Sequence, residues 1–157
     1  MKNILKDILK SPQFPEGLAW KRRHYNINDT VIKEGDEGDS LFFVEEGELR
    51  VTRRVGFGES KHIQPGVGEL KAGAIFGESC LHLSLPRIAT VTAISEVRLL
   101  EINGERLGVF LDGKPVEGYL FYKKLFEIVI GRLNNANQSV EALMAWGLKA
   151  HEIDRHL

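Results

Sequence analysis

Gly73-Ala-Ile-Phe-Gly-Glu-Ser-Cys-Leu-His-Leu-Ser-Leu-Pro-Arg-Ile-Ala-Thr-Val-Thr-Ala93 is the stretch from which the rest of the chain can be ordered. It opens on a glycine turn, offers one carboxylate at Glu78, crosses a short apolar run and closes on one cation, Arg87. Beyond Arg87, the residues Ile88, Thr90 and Thr92 alternate with Ala89, Val91 and Ala93, which is the period of a strand. Arginine suits an oxyanion because its planar fork donates two parallel hydrogen bonds. An ionised glutamate only accepts, so it suits a hydroxyl and repels a phosphate. A turn with exposed amides, one acid and one base can hold a small anion that also carries hydroxyls. Residues 73–93 therefore read as a pocket, and the flanks must supply its walls.

The upstream flank has the punctuation of an all-β domain. Trp20–Tyr25 is strand-like and basic, and acidic residues follow closely enough to make it a solvated strand face rather than a nucleic-acid patch. Asn28-Asp29 turns the chain into Val31–Lys33, and Glu34–Asp39 turns it again. Ser40–Val44 is an apolar strand, Glu45–Glu48 a tight turn, and Leu49–Val55 an alternating strand. Gly56–Ser60 and Pro65–Gly68 are further turns. Such closely spaced short strands predict a sandwich, barrel or jelly roll. Asp36, Glu37 and Asp39 raise the question of calcium, but the turn lacks the ligand ladder and closing glutamate of an EF-hand loop. Residues 2–10 place Ile4, Leu5, Ile8 and Leu9 on one helical face, and the Pro12 and Pro15 loop ends that helix.

Downstream, Glu96–Ile102 predicts a strand and Asn103-Gly104-Glu105 starts a helix that Asp112–Pro115 breaks. Residues 117–134 carry Leu120, Phe121, Leu125, Phe126, Val129, Ile130 and Leu133 at helical spacing, an amphipathic helix with a wide apolar face. The polar run Asn134–Ser139 is expected to interrupt it before a second helical tract over 140–157, weakened by Gly147. The domain reading is 1–17 as helix and loop, 18–111 as the β domain, and 112–157 as C-terminal helices.

Composition narrows the class. The 157 residues suffice for one cored domain with appended helices. A net charge of −1 gives no global field toward nucleic acid or membrane. One cysteine, Cys80, excludes an internal disulfide framework and a multi-thiolate metal site, and fits a reducing compartment. Lysines interrupt the N-terminal apolar residues, so no signal-peptide core forms. No run approaches the ~18 apolar residues of a membrane span. A cytoplasmic protein without a membrane anchor is expected.

With those residues in place, the chain resembles the cyclic nucleotide-binding domain family over about residues 18–135. Ile32–Val51 looks like the family's front half. Leu70-Lys-Ala-Gly-Ala-Ile-Phe-Gly-Glu78 followed by Pro86-Arg-Ile-Ala-Thr-Val91 looks like its phosphate-binding cassette. The resemblance implies a mainly β, jelly-roll-like β-roll with an N-terminal helix and C-terminal hinge and lid helices. It implies that Gly77 and Glu78 contact the ribose. It implies that Cys80, Leu81, Arg87, Ile88 and Ala89 surround the cyclic phosphate, with Arg87 as the cation and backbone amides as a nest. A helical turn over Ser79–Leu83 would aim its amides there as well. By position, Val51 and Val67 would touch the base, and Phe121, Tyr122, Leu125 and Asn134 are candidates for the lid. Ile88, where the family often has Thr or Ser with cyclic GMP, leans toward cyclic AMP. Cys80 is bulkier than the family's usual small residue. Many bacterial members continue into a winged helix-turn-helix, whereas only a short tail follows Ala136, so direct DNA binding is not expected.

The expected role is a stand-alone regulatory sensor acting on an effector protein on another chain, with a homodimer through the C-terminal helices as a possible assembly. The alternative is a ligand-free β-roll used for protein contact or dimerisation, in which Arg87 pairs with Glu34 or Asp36 and Glu78 caps a helix. An enzyme is not expected. There is no His-x-His pair for a cupin-type metal, no Gly-x-Ser-x-Gly elbow and no P-loop. His151 and His156 stand five residues apart, off a shared helical face. No catalytic residue, metal or catalytic cofactor is assigned.

Overall fold

The computed structural model describes residues 1–57, 61–63, 66–81 and 85–154. The expected turn over 56–60, Pro65, His82, the end of the 79–83 helical turn, and His156 lie wholly or partly outside these. The chain divides into two compact units, Met1–Gly118 and Tyr119–Leu157.

The first unit begins with α1 (Lys2–Leu9), whose Leu5 and Ile8 are buried. Ten strands follow: β1 (Trp20–Tyr25), β2 (Thr30–Ile32), β3 (Ser40–Glu46), β4 (Glu48–Thr52), β5 (Val55–Phe57), β6 (Lys61–Ile63), β7 (Gly66–Lys71), β8 (Ile75–Phe76), β9 (Thr90–Ala93) and β10 (Val97–Asn103). One four-stranded sheet has the order β1-β10-β3-β8 and the other β2-β9-β4-β7, while β5 and β6 form a hairpin. Every pairing between these described strands is antiparallel. Among the described residues this is the jelly-roll-like β-roll that the resemblance implies, and it narrows the sandwich, barrel or jelly roll read from the closely spaced strands. The strand expected over Leu49–Val55 instead ends at Thr52, and Val55 opens the hairpin.

Alternation places the core. Phe42, Val44, Phe76, Val97 and Leu99 from one sheet meet Leu49, Val91 and Ala93 from the other. β3 is buried along Leu41–Val44, so Leu41 and Phe43 fill its opposite face. β10 is also buried on both faces and alternates regularly; the register shift beside Arg98 comes from an extra residue, Glu45, in the facing strand β3. Val97 and Leu99 point one way and the buried Leu100 and Ile102 the other. At the N-terminal loop, the Trp20 indole N–H donates to the Phe14 carbonyl at 3.1 Å, and the Phe14 ring lies 5.3 Å from that of Phe110. β1 lies at the edge of its sheet. Its exposed Lys21 and Arg23 pair with Glu101, and Arg22 pairs with Glu45.

α2 (Gly104–Asp112) starts where the sequence predicts, and the Asn103 side chain caps it by accepting from the Arg106 N–H. It buries Leu107, Phe110 and Leu111 and ends at Gly113, after which Pro115 starts α3 (Pro115–Asp154). Proline fits that first helical position because its missing N–H is not needed there. The interruption expected at Asn134–Ser139 is absent, and α3 runs through it. Asn, Gln and Ser lower helix propensity by only a few tenths of a kcal/mol each relative to alanine, and no proline stands in the run. Ser139 also returns its hydroxyl to the Asn135 carbonyl at 3.0 Å, one turn back.

Candidate functional site

The cassette residues are gathered where β8, the turn after it and the segment leading into β9 meet the loop between β2 and β3. Gly77 ends β8 with φ of +76°, the left-handed region that favours glycine. Glu78–Leu81 then form one 3-10 turn, with the Cys80 N–H donating to the Gly77 carbonyl at 3.3 Å. Glu78, Cys80 and Leu81 are all partly buried.

Arg87 is the only charged or polar residue among those fully buried in the described chain, at 7% exposure. Its backbone is stitched to the β2–β3 loop. The Arg87 N–H donates to the Asp36 carbonyl and the Gly35 N–H to the Arg87 carbonyl, each at 2.8 Å. Its guanidinium donates to the Ser40 carbonyl at 2.7 Å and to the Gly77 carbonyl at 3.4 Å, and it lies 5.9 Å over the Phe42 ring. Among the described residues those contacts use two of its five N–H donors, which leaves the fork capacity for an oxyanion. A buried cation held by neutral carbonyls has no net charge in these hydrogen bonds to offset it, which favours an incoming anion. The carboxylate pairing of the alternative reading takes a different form. Glu34 accepts from the Arg54 N–H and faces Arg53, and Asp36 reaches Arg87 through its carbonyl.

Cys80 lies between the cassette and α2. Burial pushes its thiol up to about 11, with the nearby Arg87 cation pulling the other way. A Cβ built on Gly104 would come within 2.7 Å of its Sγ, so the bulk of Cys80 is taken up toward the start of α2. Asp39 joins the same corner: its carbonyl accepts the Gly104 N–H at 2.8 Å, and its carboxylate accepts from Ser40 and Asn103.

The other expected residues are more dispersed. Ile88 is exposed and Ala89 partly buried beside Arg87. Val51 packs at the margin of the sandwich core. Val67 lies in β7, and its side chain is outside the described residues. Phe121, Tyr122, Leu125 and Asn134 all belong to the second unit, where the Phe121 and Tyr122 rings meet edge-on at 5.6 Å. The bonds from Arg87 to Ser40 and Gly77 were not anticipated, because backbone carbonyls carry no sequence signal. A cavity of about 510 Å³ between Gln13–Ala19 and α2 shares no residue with the cassette. Among the described residues there is no cluster of His, Cys, Asp and Glu able to hold a metal ion, and no helix is long and apolar enough to cross a membrane.

The sequence model of the cyclic nucleotide-binding domain family matches residues 22–113, and the chain belongs to that family. It is 38% identical over 100 residues to a cAMP-dependent protein kinase regulatory subunit of Eremothecium gossypii, covering 64% of this chain and 20% of that protein. It is also 38% identical over 108 residues to the cGMP-dependent protein kinase egl-4 of Caenorhabditis elegans, covering 62% of this chain and 13% of the kinase. Among solved structures, the Thermus thermophilus Catabolite Activator Protein superposes with a TM-score of 0.64 at 25% identity, covering 85% of this chain and 63% of that one. The chain thus spans about a fifth or less of the two kinase-related proteins. The family is one of binding domains rather than catalysts.

Proposed function

We propose that the chain binds a cyclic nucleotide, cyclic AMP in preference to cyclic GMP, and works as a cytoplasmic regulatory sensor for an effector protein on another chain. The observation that carries this reading is the buried Arg87 guanidinium, held by neutral carbonyls beside the Gly77-Glu78 turn. In it Arg87 takes the cyclic phosphate, backbone amides around Cys80, Leu81, Ile88 and Ala89 complete the nest, and Gly77 and Glu78 take the ribose hydroxyl. The preference for cyclic AMP is supported by Ile88, whose apolar side chain offers guanine no hydroxyl. The similarity to a cAMP-dependent regulatory subunit agrees with it, and the similarity to a cGMP-dependent kinase makes the comparison necessary. Ligand capture would favour one arrangement of the hinge at Asp112–Pro115 and bring the helix of residues 117–134 over the base, with Phe121, Tyr122, Leu125 and Asn134 as its contacts. A ligand shifts such an equilibrium only by its differential affinity for the two states.

Calorimetric titration with both nucleotides tests the reading. Binding of cyclic AMP, tighter than cyclic GMP, is expected, and Arg87→Ala should cost about 2 kcal/mol or more of affinity through lost charge-assisted bonds. Absence of binding to either nucleotide at millimolar concentration would overturn it.

A further inference from the structure

The Arg87 guanidinium is held against backbone on two sides. A Cβ built on Gly38 would lie 2.5 Å from both Nε and Nη2 of Arg87 and 2.8 Å from its Cζ, so the Nε–Nη2 edge of the fork faces Gly38 directly. A Cβ on Gly77 would lie 2.8 Å from Nη1, on another side of the same group. The two glycines differ in one respect. Gly77 has φ of +76° and needs glycine for its backbone alone, whereas Gly38 is not among the positive-φ residues. Any residue could adopt the Gly38 backbone; what a side chain there would meet is the Arg87 guanidinium.

We propose that Gly38 is a positioning residue that seats the Arg87 guanidinium for the phosphate. The inference rests on the reading of Arg87 as the phosphate ligand. A methyl at position 38 pushes the guanidinium away from the Ser40 and Gly77 carbonyls that now orient it. The end of an arginine side chain can move without unfolding the β-roll, so the fold survives while the fork loses its aim. Glycine at 38 thus serves ligand geometry rather than turn geometry.

The test compares the parent, Gly38→Ala, Arg87→Ala and the double variant, with Arg87→Met replacing Arg87→Ala should the latter not fold. Each is unfolded thermally without ligand and titrated with cyclic AMP. Gly38→Ala is expected to keep the parental far-ultraviolet circular dichroism, to bind cyclic AMP about tenfold or more weakly, and to lose about 3 °C in Tm. In the Arg87→Ala background the same substitution should cause no loss of Tm, because nothing remains for the methyl to displace. Gly38→Ala binding as tightly as the parent, or an equal Tm loss in both backgrounds, overturns the proposal. Should the parent bind neither cyclic AMP nor cyclic GMP, the nucleotide reading fails, and the ligand-free Tm cycle still decides whether Gly38 seats Arg87.

Discussion

Single residues in the cassette behave differently from their free counterparts, and Cys80 is the clearest case. Burial raises its thiol from 9.0 to about 11, so the folded chain keeps a proton that the unfolded chain has lost above pH 9. The sign follows: the stability contributed by this thiol is complete below pH 9 and is lost as pH rises toward 11. At pH 8 the thiolate population of Cys80 is on the order of one in a thousand, and alkylation by iodoacetamide should run at least about tenfold slower than in the chain unfolded by urea. Equal rates in the two states would contradict the burial. Asn103 offers a second measurement. Its side chain caps α2 and also meets Asp39, so Asn103→Ala should cost about 1 kcal/mol by chemical denaturation. The spacing from Glu78 to Arg87 and the helix start at Asn103-Gly104-Glu105 were legible because side-chain chemistry announces both. The carbonyls of Ser40 and Gly77 were not, since every residue has one and only the fold selects which faces Arg87.

Elements carry the next set of consequences, and two glycines on the helices oppose each other. Gly118, in the first turn of α3, stands where a Cβ would lie 2.8 Å from the Leu111 carbonyl oxygen, a backbone atom that cannot step aside. Gly118→Ala should therefore destabilise by about 1–3 kcal/mol, as overpacking does. Gly108, inside α2, has open space at its Cβ position, and Gly108→Ala should stabilise by about 0.5–1 kcal/mol. Urea unfolding of both variants gives the two signs side by side, and a stabilising Gly118→Ala would refute the close packing of α2 on the start of α3. Among the strands, period-2 alternation exposed β9 in the sequence, while the hairpin β5–β6 was hidden because Gly56 reads as a turn residue. For α3 the reverse held. Asn134, Asn135, Asn137, Gln138 and Ser139 look like a break, yet each penalty is small, and a helix without an internal proline has no strong stop.

For the molecule as a whole, the long α3 raises the question of assembly. Phe126, Val129, Leu133, Ala136, Val140 and Leu143 are exposed and recur at alternating spacings of three and four residues, the seam of a coiled coil. A homodimer through this seam is expected, and sedimentation equilibrium should show Leu133→Asp shifting the population toward monomer without loss of the β-roll. A parent that sediments as a monomer at high micromolar concentration would refute the seam. The edge strand β1 bears on behaviour at high concentration in a different way. An unpaired sheet edge tends to recruit other strands. Here Lys21, Arg22 and Arg23 stand against the carboxylates of Glu45 and Glu101, three positive charges to two negative, which leaves the edge with an excess of one cation. Two such edges repel each other, and that repulsion reaches only as far as the ions in solution permit: ~10 Å at 0.1 M salt and ~3 Å at 1 M. The shelf life of a concentrated solution should accordingly depend on the buffer's ionic strength, with turbidity appearing sooner as salt rises.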